Sequence, residues 1–365
     1  MDRVEEIEAK VARVREFMSS RELGAVALST QASFAWITAG GDNHVGLSGE
    51  GGVATVAITP TGRHVVTSAI EGPRIADEES GGLGFQLHVH PWHSEGPEGT
   101  VKKLAEGRTA AADGALPGAA NLAPEIVRLR WQLLQPETER YRVVGAECAR
   151  ILGEVAQEVM PGMTELQVAG LMQGKAFAAG LLPTVCLIAS DGRAYRYRHP
   201  IPTQKQIERL VMLVIGARRW GLGISATRMV HFGPVPEELL LKHEAVCAVD
   251  ASFILGSRPG AKVRDMFAAA CDEYARQGFP DEWMLHHQGG ATGYAARDYK
   301  ATPLSEETVL DSQAFAWNPS IAGTKSEDTI VVTAAGPEVL SRGDWPTLAA
   351  TCAHGVLERP AILER

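Results

Sequence analysis

Two adjacent histidines, His286 and His287, stand one residue before a glycine pair in the stretch LHHQGGATGY. Imidazoles transfer protons near neutral pH and also bind metal ions. The residues after His287 in this stretch are all uncharged, so the stretch itself supplies no carboxylate to complete a metal site. We predict that the pair lies on a strand, where neighbouring side chains point to opposite faces. At most one imidazole would then face a given pocket, and the other would belong to the core or the strand edge.

A third histidine, His199 in RYRHPIPT, is the leading candidate for proton transfer. Cleavage of a C–N bond needs a group that takes a proton from water and gives one to the leaving nitrogen. The alternative is a histidine that bonds to the backbone in a turn. Arg196 and Arg198 alternate along the preceding segment and could clamp an anionic substrate from one face. They could equally form a solvated charged face.

Two further charged residues are candidates for substrate binding. Glu327, in KSEDTIVV, could bind a substrate nitrogen or orient a base, or it could form a surface ion pair with Lys325. Arg228, in SATR, could bind a substrate carboxylate through two hydrogen bonds, or it could pair with an internal acid.

The elements that must position these residues fall into two predicted domains, residues 1–133 and 134–365. A chain of 365 residues is long enough for two hydrophobic cores. The apolar runs AVAL, VATVAI and HVVTS in the first domain read as strands, and a long helix begins near QPETER. These elements predict an α/β (α+β) fold.

The second domain contains a repeat with an offset of 98 residues, between residues 160–181 and 258–279. Each copy has a Pro-Gly turn, a helix with apolar residues at helical spacing, and a glycine stop. The stretch FPDEWMLHH after the second copy reads as a strand. We therefore predict two similar helix–helix–strand halves about a pseudo-two-fold axis, with a site on the sheet that both halves share.

Composition narrows the class of protein. The net charge of -9 argues against a nucleic-acid partner, and there is no apolar run long enough to span a membrane. The N-terminal segment reads as a charged amphipathic helix rather than a signal peptide. Five scattered cysteines without a CxxC motif indicate neither a zinc ribbon nor a disulfide framework. The expectation is a cytoplasmic enzyme with a small-molecule substrate.

Several motifs resemble the pita-bread family, which includes creatinase, aminopeptidase P, prolidase and methionine aminopeptidase. The motifs lie throughout the chain: ALSTQASFAWITAGG, YRYRHPIPT, IGARRWGLGISATR, HHQGGATGY and WNPSIAGTKSEDTIVVT. The resemblance implies a creatinase-type N-terminal domain, with a strand, a turn and an aromatic-containing strand. It also implies a C-terminal pita-bread domain.

Active peptidases of this family bind two divalent metals through two Asp, one His and two Glu. The matching positions here are Val214, Ser225, Gly290, Asn318 and Glu327. Only Glu327 is a strong ligand, so the resemblance implies no metal or other cofactor. It also matches His199 to the catalytic histidine of creatinase and places Asp298 near the family's substrate stretch. Asn318 is a candidate for substrate binding, and Tyr294 and Trp317 could form walls of the pocket or belong to the core.

Together these features predict a metal-independent, creatinase-like hydrolase of a C–N bond in a small metabolite. His199 would act as general acid and base, Glu327 and Asp298 would hold a cationic or amide group, and Arg228 or Arg196 would pair with a carboxylate. The resemblance also implies a homodimer, with residues 42–44 reaching across. The alternatives are a metal-dependent Xaa-Pro aminopeptidase-like peptidase, a non-catalytic binding protein, and a lyase acting on a specialised metabolite.

Overall fold

The computed structural model describes residues 1–93 and 96–365 and divides the chain into two compact units. The first unit comprises Met1–Glu137 and Trp220–Leu222, and the second comprises Thr138–Arg219 and Gly223–Arg365. We predicted a division between residues 133 and 134, and in the structure it lies between residues 137 and 138. No helix within the described ranges is both long enough and apolar enough to cross a membrane.

The first unit contains a six-stranded sheet with strand order β4-β3-β2-β1-β5-β6. Its helices are α1 (Arg3–Ser20), α2 (Gln31–Ile37), α3 (Gly72–Arg74, continued by a π-helix over Ile75–Ser80), α4 (Glu98–Leu104) and α5 (Ala123–Arg128). Its strands are β1 (Ala25–Thr30), β2 (Gly51–Ile58), β3 (Arg63–Ser68), β4 (Gln86–His90), β5 (Ala110–Ala112) and β6 (Ala120–Asn121).

The three strands predicted from AVAL, VATVAI and HVVTS are present as β1, β2 and β3. The aromatic-containing segment SFAWI is a helix, α2, and not the strand that we expected. Thr30 starts this helix, because its Oγ1 accepts a hydrogen bond of 3.2 Å from the Ser33 N–H. Asn43, in the segment expected to reach a partner subunit, is buried and donates to the Ala54 carbonyl oxygen at 2.7 Å.

The second unit contains the remaining elements. Its helices are α6 (Gln135–Glu158), α7 (Glu165–Ala178), α8 (Gly192–Arg196), α9 (Glu237–Gly256) and α10 (Val263–Arg276). Its strands are β7 (Leu182–Ser190), β8 (Leu210–Arg219), β9 (Leu222–His231), β10 (Gly289–Thr292), β11 (Tyr299–Lys300), β12 (Ala314–Trp317), β13 (Ser320–Ile321), β14 (Thr324–Lys325), β15 (Asp328–Thr333), β16 (Gly336–Val339), β17 (Thr347–Cys352), β18 (Gly355–Pro360) and β19 (Leu363–Glu364).

The predicted repeat is present as α7 and α10, which both have 14 residues. The turn glycines before them, Gly162 and Gly260, have φ angles of 89° and 88°. The glycines after them, Gly180 and Gly278, have φ angles of 72° and 86°. Positive φ costs glycine little, so the same local chemistry starts and stops both helices.

Two sheets carry the two halves, with strand orders β19-β9-β8-β7 and β11-β10-β12-β15-β16. An antiparallel bridge between Thr227 and Glu327 joins them, since the Thr227 N–H donates to the Glu327 carbonyl oxygen at 3.0 Å. Glu327 therefore lies where the two halves meet.

The predicted strand over FPDEWMLHH is wrong. Glu282–Leu285 forms a 3-10 helix, and the strand β10 starts only at Gly289. A proline followed by two acidic residues suits the start of a helical turn, which explains the difference.

Candidate functional site

A cavity of about 300 Å³ lies within the second unit, against strands β7, β8 and β9 of one sheet and segments that adjoin strands of the other. Its apolar lining comes mainly from β7 and β8 and consists of Val185, Leu187, Val214, Ile215 and Ala296. Its polar lining consists of His199, Ser225, His287, Arg297, Asn318, Lys325 and Glu327. Apolar walls with a few polar groups are typical of small-molecule sites.

Among the residues that the structure describes, Glu327 is the only carboxylate in this lining, and it is held on several sides. Thr227 Oγ1 donates to Glu327 Oε2 at 2.7 Å, and Lys325 Nζ lies 2.9 Å from the same oxygen. Arg297 Nη2 lies 3.6 Å from Oε1. We call these four residues the cavity network. Burial acts to raise the pKa of Glu327, but the charges of Lys325 and Arg297 and the hydrogen bonds outweigh it and lower the pKa.

The ion pair of Lys325 with Glu327 was expected at the surface, as the alternative to a site role for Glu327. The pair exists, but each side chain is only 4% exposed. Buried ions are costly unless their charges are compensated. The pair is therefore a fixed feature of the cavity.

Three imidazoles meet at one side of this cavity. His286 Nε2 lies 3.1 Å from His199 Nε2, and the His286 and His287 rings stack with centroids 4.6 Å apart. The two neighbours do not point to opposite faces, because they precede β10 and lie outside any regular strand. His287 lines the cavity, and the buried His286 stands behind His199 and His287.

The three imidazoles are unprotonated near neutral pH. Burial, and next the charge of Lys325, lower the pKa of His199. Burial first and nearby cations second lower the pKa of His286 to about 2. Burial first, and then the charge of Arg297, lower the pKa of His287 to about 4. Each neutral ring has one N–H donor and one acceptor nitrogen, and in His287 the acceptor Nδ1 already takes the Gly289 N–H at 3.3 Å.

Three buried polar atoms around the cavity have no hydrogen-bond partner: Arg297 Nε, Asn318 Oδ1 and His286 Nδ1. Buried polar atoms in proteins are usually paired, and an unpaired one costs about 1–3 kcal/mol. Arg297 and Asn318 both line the cavity, so a ligand there can reach them.

Arg228 belongs to a separate network, so the predicted contact with a substrate carboxylate is corrected. It is buried, with Nη2 3.0 Å from Asp328 Oδ1 and 2.6 Å from the Ser341 carbonyl oxygen. Arg359 Nη2 lies 2.6 Å from Asp328 Oδ2 and 2.6 Å from Asp250 Oδ2. We call Arg228, Asp250, Asp328 and Arg359 the core network.

Arg196 and Arg198 do not form the predicted clamp. Arg196 is the last residue of α8, so the two do not alternate along one extended segment. Its Nε donates to the Gly192 carbonyl oxygen at 3.3 Å. Arg198 forms an ion pair with Glu282 and donates to Ser320 Oγ at 3.1 Å. Neither arginine is part of the cavity lining.

Three other predicted residues also lie outside the lining. Trp317 is fully buried and stacks on Phe253 and Phe315, with ring centroids 4.5 and 5.3 Å away, so it is a core residue. Tyr294 is buried as well. The Asp298 backbone N–H donates to the Ala291 carbonyl oxygen at 2.9 Å, and its carboxylate does not reach the lining.

The structure brings together His199, His287, Asn318 and Glu327 and adds two cations, Lys325 and Arg297, that were not predicted as site residues. Lys325 could have been found, because residues two apart on an extended segment share a face with each other. Arg297 has no such local signal. It lies 30 positions before Glu327, and only the fold places it there.

The sequence is similar to a known protein family and to several known proteins. Residues 139–334 match the model of metallopeptidase family M24. An Xaa-Pro dipeptidase of Pyrococcus horikoshii is 25% identical over 195 residues, which are 51% of this chain and 55% of that protein. The probable dipeptidase PepE of Mycobacterium bovis is 25% identical over 226 residues, which are 59% of this chain and 60% of that protein. The matched part thus spans somewhat more than half the length of these relatives.

A solved Xaa-Pro dipeptidase from Bacillus anthracis has the same fold. Its TM-score is 0.79 at 16% identity, with 98% of this chain and 100% of that chain covered. This likeness confirms the predicted α/β class and the pita-bread fold.

The relatives also correct the predicted function. They are named as dipeptidases, and the matched family is one of metallopeptidases. A metal-independent hydrolase of a small metabolite, with His199 as acid and base, is therefore the wrong functional class. The family model matches more than half of the chain, and this protein belongs to metallopeptidase family M24.

Proposed function

We propose that this protein is a peptidase of the Xaa-Pro dipeptidase type that binds short peptides in the cavity of the second unit. The single observation that carries the proposal is the position of this cavity. It lies inside the region that matches the peptidase family, at the junction of the two sheets, around the carboxylate of Glu327.

The size of the cavity favours a dipeptide over a longer peptide. About 300 Å³ is at the lower end of the volumes found for small-molecule sites. The imidazoles of His199 and His287 lie on one side and can form hydrogen bonds with a peptide. The cations Lys325 and Arg297 lie beside Glu327.

The two-metal centre of the family does not fit these residues. Val214 has no ligand atom, and a Cβ added at Gly290 would lie 2.2 Å from the Tyr299 carbonyl oxygen, so no side chain fits there. Ser225 and Asn318 are neutral and would be weak metal ligands. The Glu327 oxygens already accept contacts from Lys325, Thr227 and Arg297. We therefore assign no catalytic step to a two-metal centre.

A different group of residues could hold a single ion. Within residues 1–93 and 96–365, one set of three potential ligands is close enough, namely His199, His286 and His287, whose ligand atoms lie within 4.8 Å of one another. Three neutral imidazoles suit a borderline cation such as zinc. We expect at most one equivalent of divalent metal per chain by elemental analysis, and two bound equivalents would contradict this ligand assignment.

Release of proline from Xaa-Pro dipeptides tests the proposed activity. The purified protein is assayed as it is, with chelator, and with added manganese, cobalt or zinc. We expect proline release in at least one condition and at least a tenfold loss in His287→Ala, which removes a cavity imidazole. His354→Ala, an exposed histidine outside the cavity lining, is the matched control. No release from any Xaa-Pro dipeptide under any of these conditions would overturn the proposal.

A further inference from the structure

The positive and negative charges of the residues that line the cavity do not cancel. Its lining contains the cations Lys325 and Arg297 and the single carboxylate of Glu327. The lining therefore carries one positive charge in excess, in a place where isolated charge is costly.

Arg297 is the less well compensated of the two cations. Its distance of 3.6 Å to Glu327 is longer than a hydrogen bond, whereas Lys325 lies at 2.9 Å. The Arg297 side chain is 15% exposed, and its Nε–H has no acceptor. Its Nη1 donates to the Ala296 carbonyl oxygen at 2.5 Å, which supplies no negative charge. A guanidinium in this state lacks an anionic partner that accepts from it.

At Asn318 a hydrogen-bond donor is missing, whereas at Arg297 an acceptor is missing. The Asn318 Oδ1 is buried in the lining and accepts no hydrogen bond. Asn318 thus lacks a hydrogen-bond donor, while Arg297 lacks an acceptor with negative charge.

We propose that the cavity binds a zwitterionic dipeptide in one orientation, with its carboxylate at Arg297 and Lys325 and its α-ammonium group at Asn318. This inference rests on the proposed peptidase function and extends it by naming the residues that orient the substrate. The ligand supplies the missing negative charge and fills both unpaired positions. Since the peptide nitrogen of an Xaa-Pro bond has no hydrogen, the free amino group is the donor that Asn318 receives.

The position of Glu327 explains why the cations are available at this place. Glu327 matches a metal ligand of the peptidase family, but here it holds Lys325 and Arg297. The positive charge of the cavity thus belongs to side chains of the protein and not to a bound metal ion. We expect binding of the dipeptide carboxylate to persist in the presence of chelator.

The test measures binding without turnover. An Ala-Pro analogue, in which a ketomethylene group replaces the peptide bond, is titrated by calorimetry in three forms: the free zwitterion, the C-terminal amide and the N-acetyl derivative. For the wild-type protein we expect the amide and the N-acetyl form each to bind at least tenfold more weakly than the zwitterion, because each removes one charged hydrogen bond.

Two variants assign the ends of the ligand. In Arg297→Gln, the preference for the free carboxylate over the amide should fall at least fivefold, with the preference at the amino end unchanged. In Asn318→Leu, only the preference for the free amino group should fall. Arg196→Gln, which removes an exposed cation outside the cavity lining, should keep both preferences.

The outcomes separate this inference from the proposed function. Equal binding of the three forms, no binding of any form, or unchanged preferences in Arg297→Gln would overturn the inference, even if Xaa-Pro dipeptides are cleaved. Selective binding of the zwitterion without any cleavage would support the inference and overturn the peptidase proposal.

Discussion

Two neighbouring carboxylates, Glu327 and Asp328, belong to networks of opposite character. Asp328 lies in the core network, where Arg228 and Arg359 face the carboxylates of Asp328 and Asp250. Glu327 lies in the cavity network, where it alone faces Lys325 and Arg297. The core network thus has two cations for two carboxylates, and the cavity network has two cations for one.

The difference shows how charge balance separates a structural network from a binding site. In the core network the chain supplies every compensating charge, so nothing further is needed for the arrangement to persist. In the cavity network one negative charge is missing, next to space that a ligand can enter. Apart from the partly exposed Arg297, both networks are buried, so burial alone does not distinguish them.

The largest effect is expected for Asp328→Ala. This change leaves Arg228 and Arg359 without a shared carboxylate, and removal of one partner from a buried ion pair costs about 3–5 kcal/mol. Denaturant unfolding, followed by circular dichroism, measures the loss. A loss below about 1 kcal/mol, similar to that of a surface substitution, would show that the core network is not the structural element described above.

Glu327→Gln should lower the stability of the protein but strengthen its binding of a ligand carboxylate. It removes the only negative charge of the cavity network, so we expect the free energy of unfolding to fall by about 1–3 kcal/mol, less than for Asp328→Ala. The freed cations should bind the carboxylate of the Ala-Pro analogue several-fold more tightly than in the wild type. Calorimetry at pH 7 checks this second effect, and weaker binding would contradict the proposed division between the networks.

A smaller effect concerns His243, beside the core network. Its Nδ1 lies 2.6 Å from Thr324 Oγ1 and its Nε2 2.8 Å from the Pro360 carbonyl oxygen, and burial lowers its pKa to about 4. Between pH 6.5 and 4 the unfolded chain therefore takes up a proton that the folded chain does not. As the pH is lowered through this window, the free energy of unfolding should therefore decrease. The contribution of this residue is at most about 1.4 kcal/mol per pH unit.

The variant His243→Gln isolates this contribution. Other histidines with lowered pKa values, such as His286 and His287, change stability with pH in the same direction, so only the difference from the wild type is informative. Denaturant unfolding at several pH values should give a shallower slope for the variant. Identical slopes would show that His243 is not held neutral by the fold.

The predicted homodimer stays a prediction, and light scattering on the purified chain measures it. The sequence placed residues 42–44 at the interface of such a dimer. Because the Asn43 side chain is already bonded to Ala54, a contribution from this residue across an interface would require the segment to rearrange.

The sequence by itself determined the features that depend on neighbours along the chain. The matched glycine turns and the 14-residue helices α7 and α10 follow from local preferences. The absence of metal ligands at Val214 and Gly290 is likewise visible from the residue types alone. Local chemistry misled only where a capping residue or a proline changed the element, as in α2 and the 3-10 helix before His286.

Only the tertiary structure decided what each charged side chain does. Arg228 and Glu327 both looked available to a substrate, but the junction of the two sheets turns Arg228 toward Asp328 and leaves Glu327 at the cavity. Arg297 reaches Glu327 from a distant segment, and the two histidines share one side because they stand outside β10. Ion pairing and burial depend on groups that are far apart in the chain, so residue type and spacing cannot fix them.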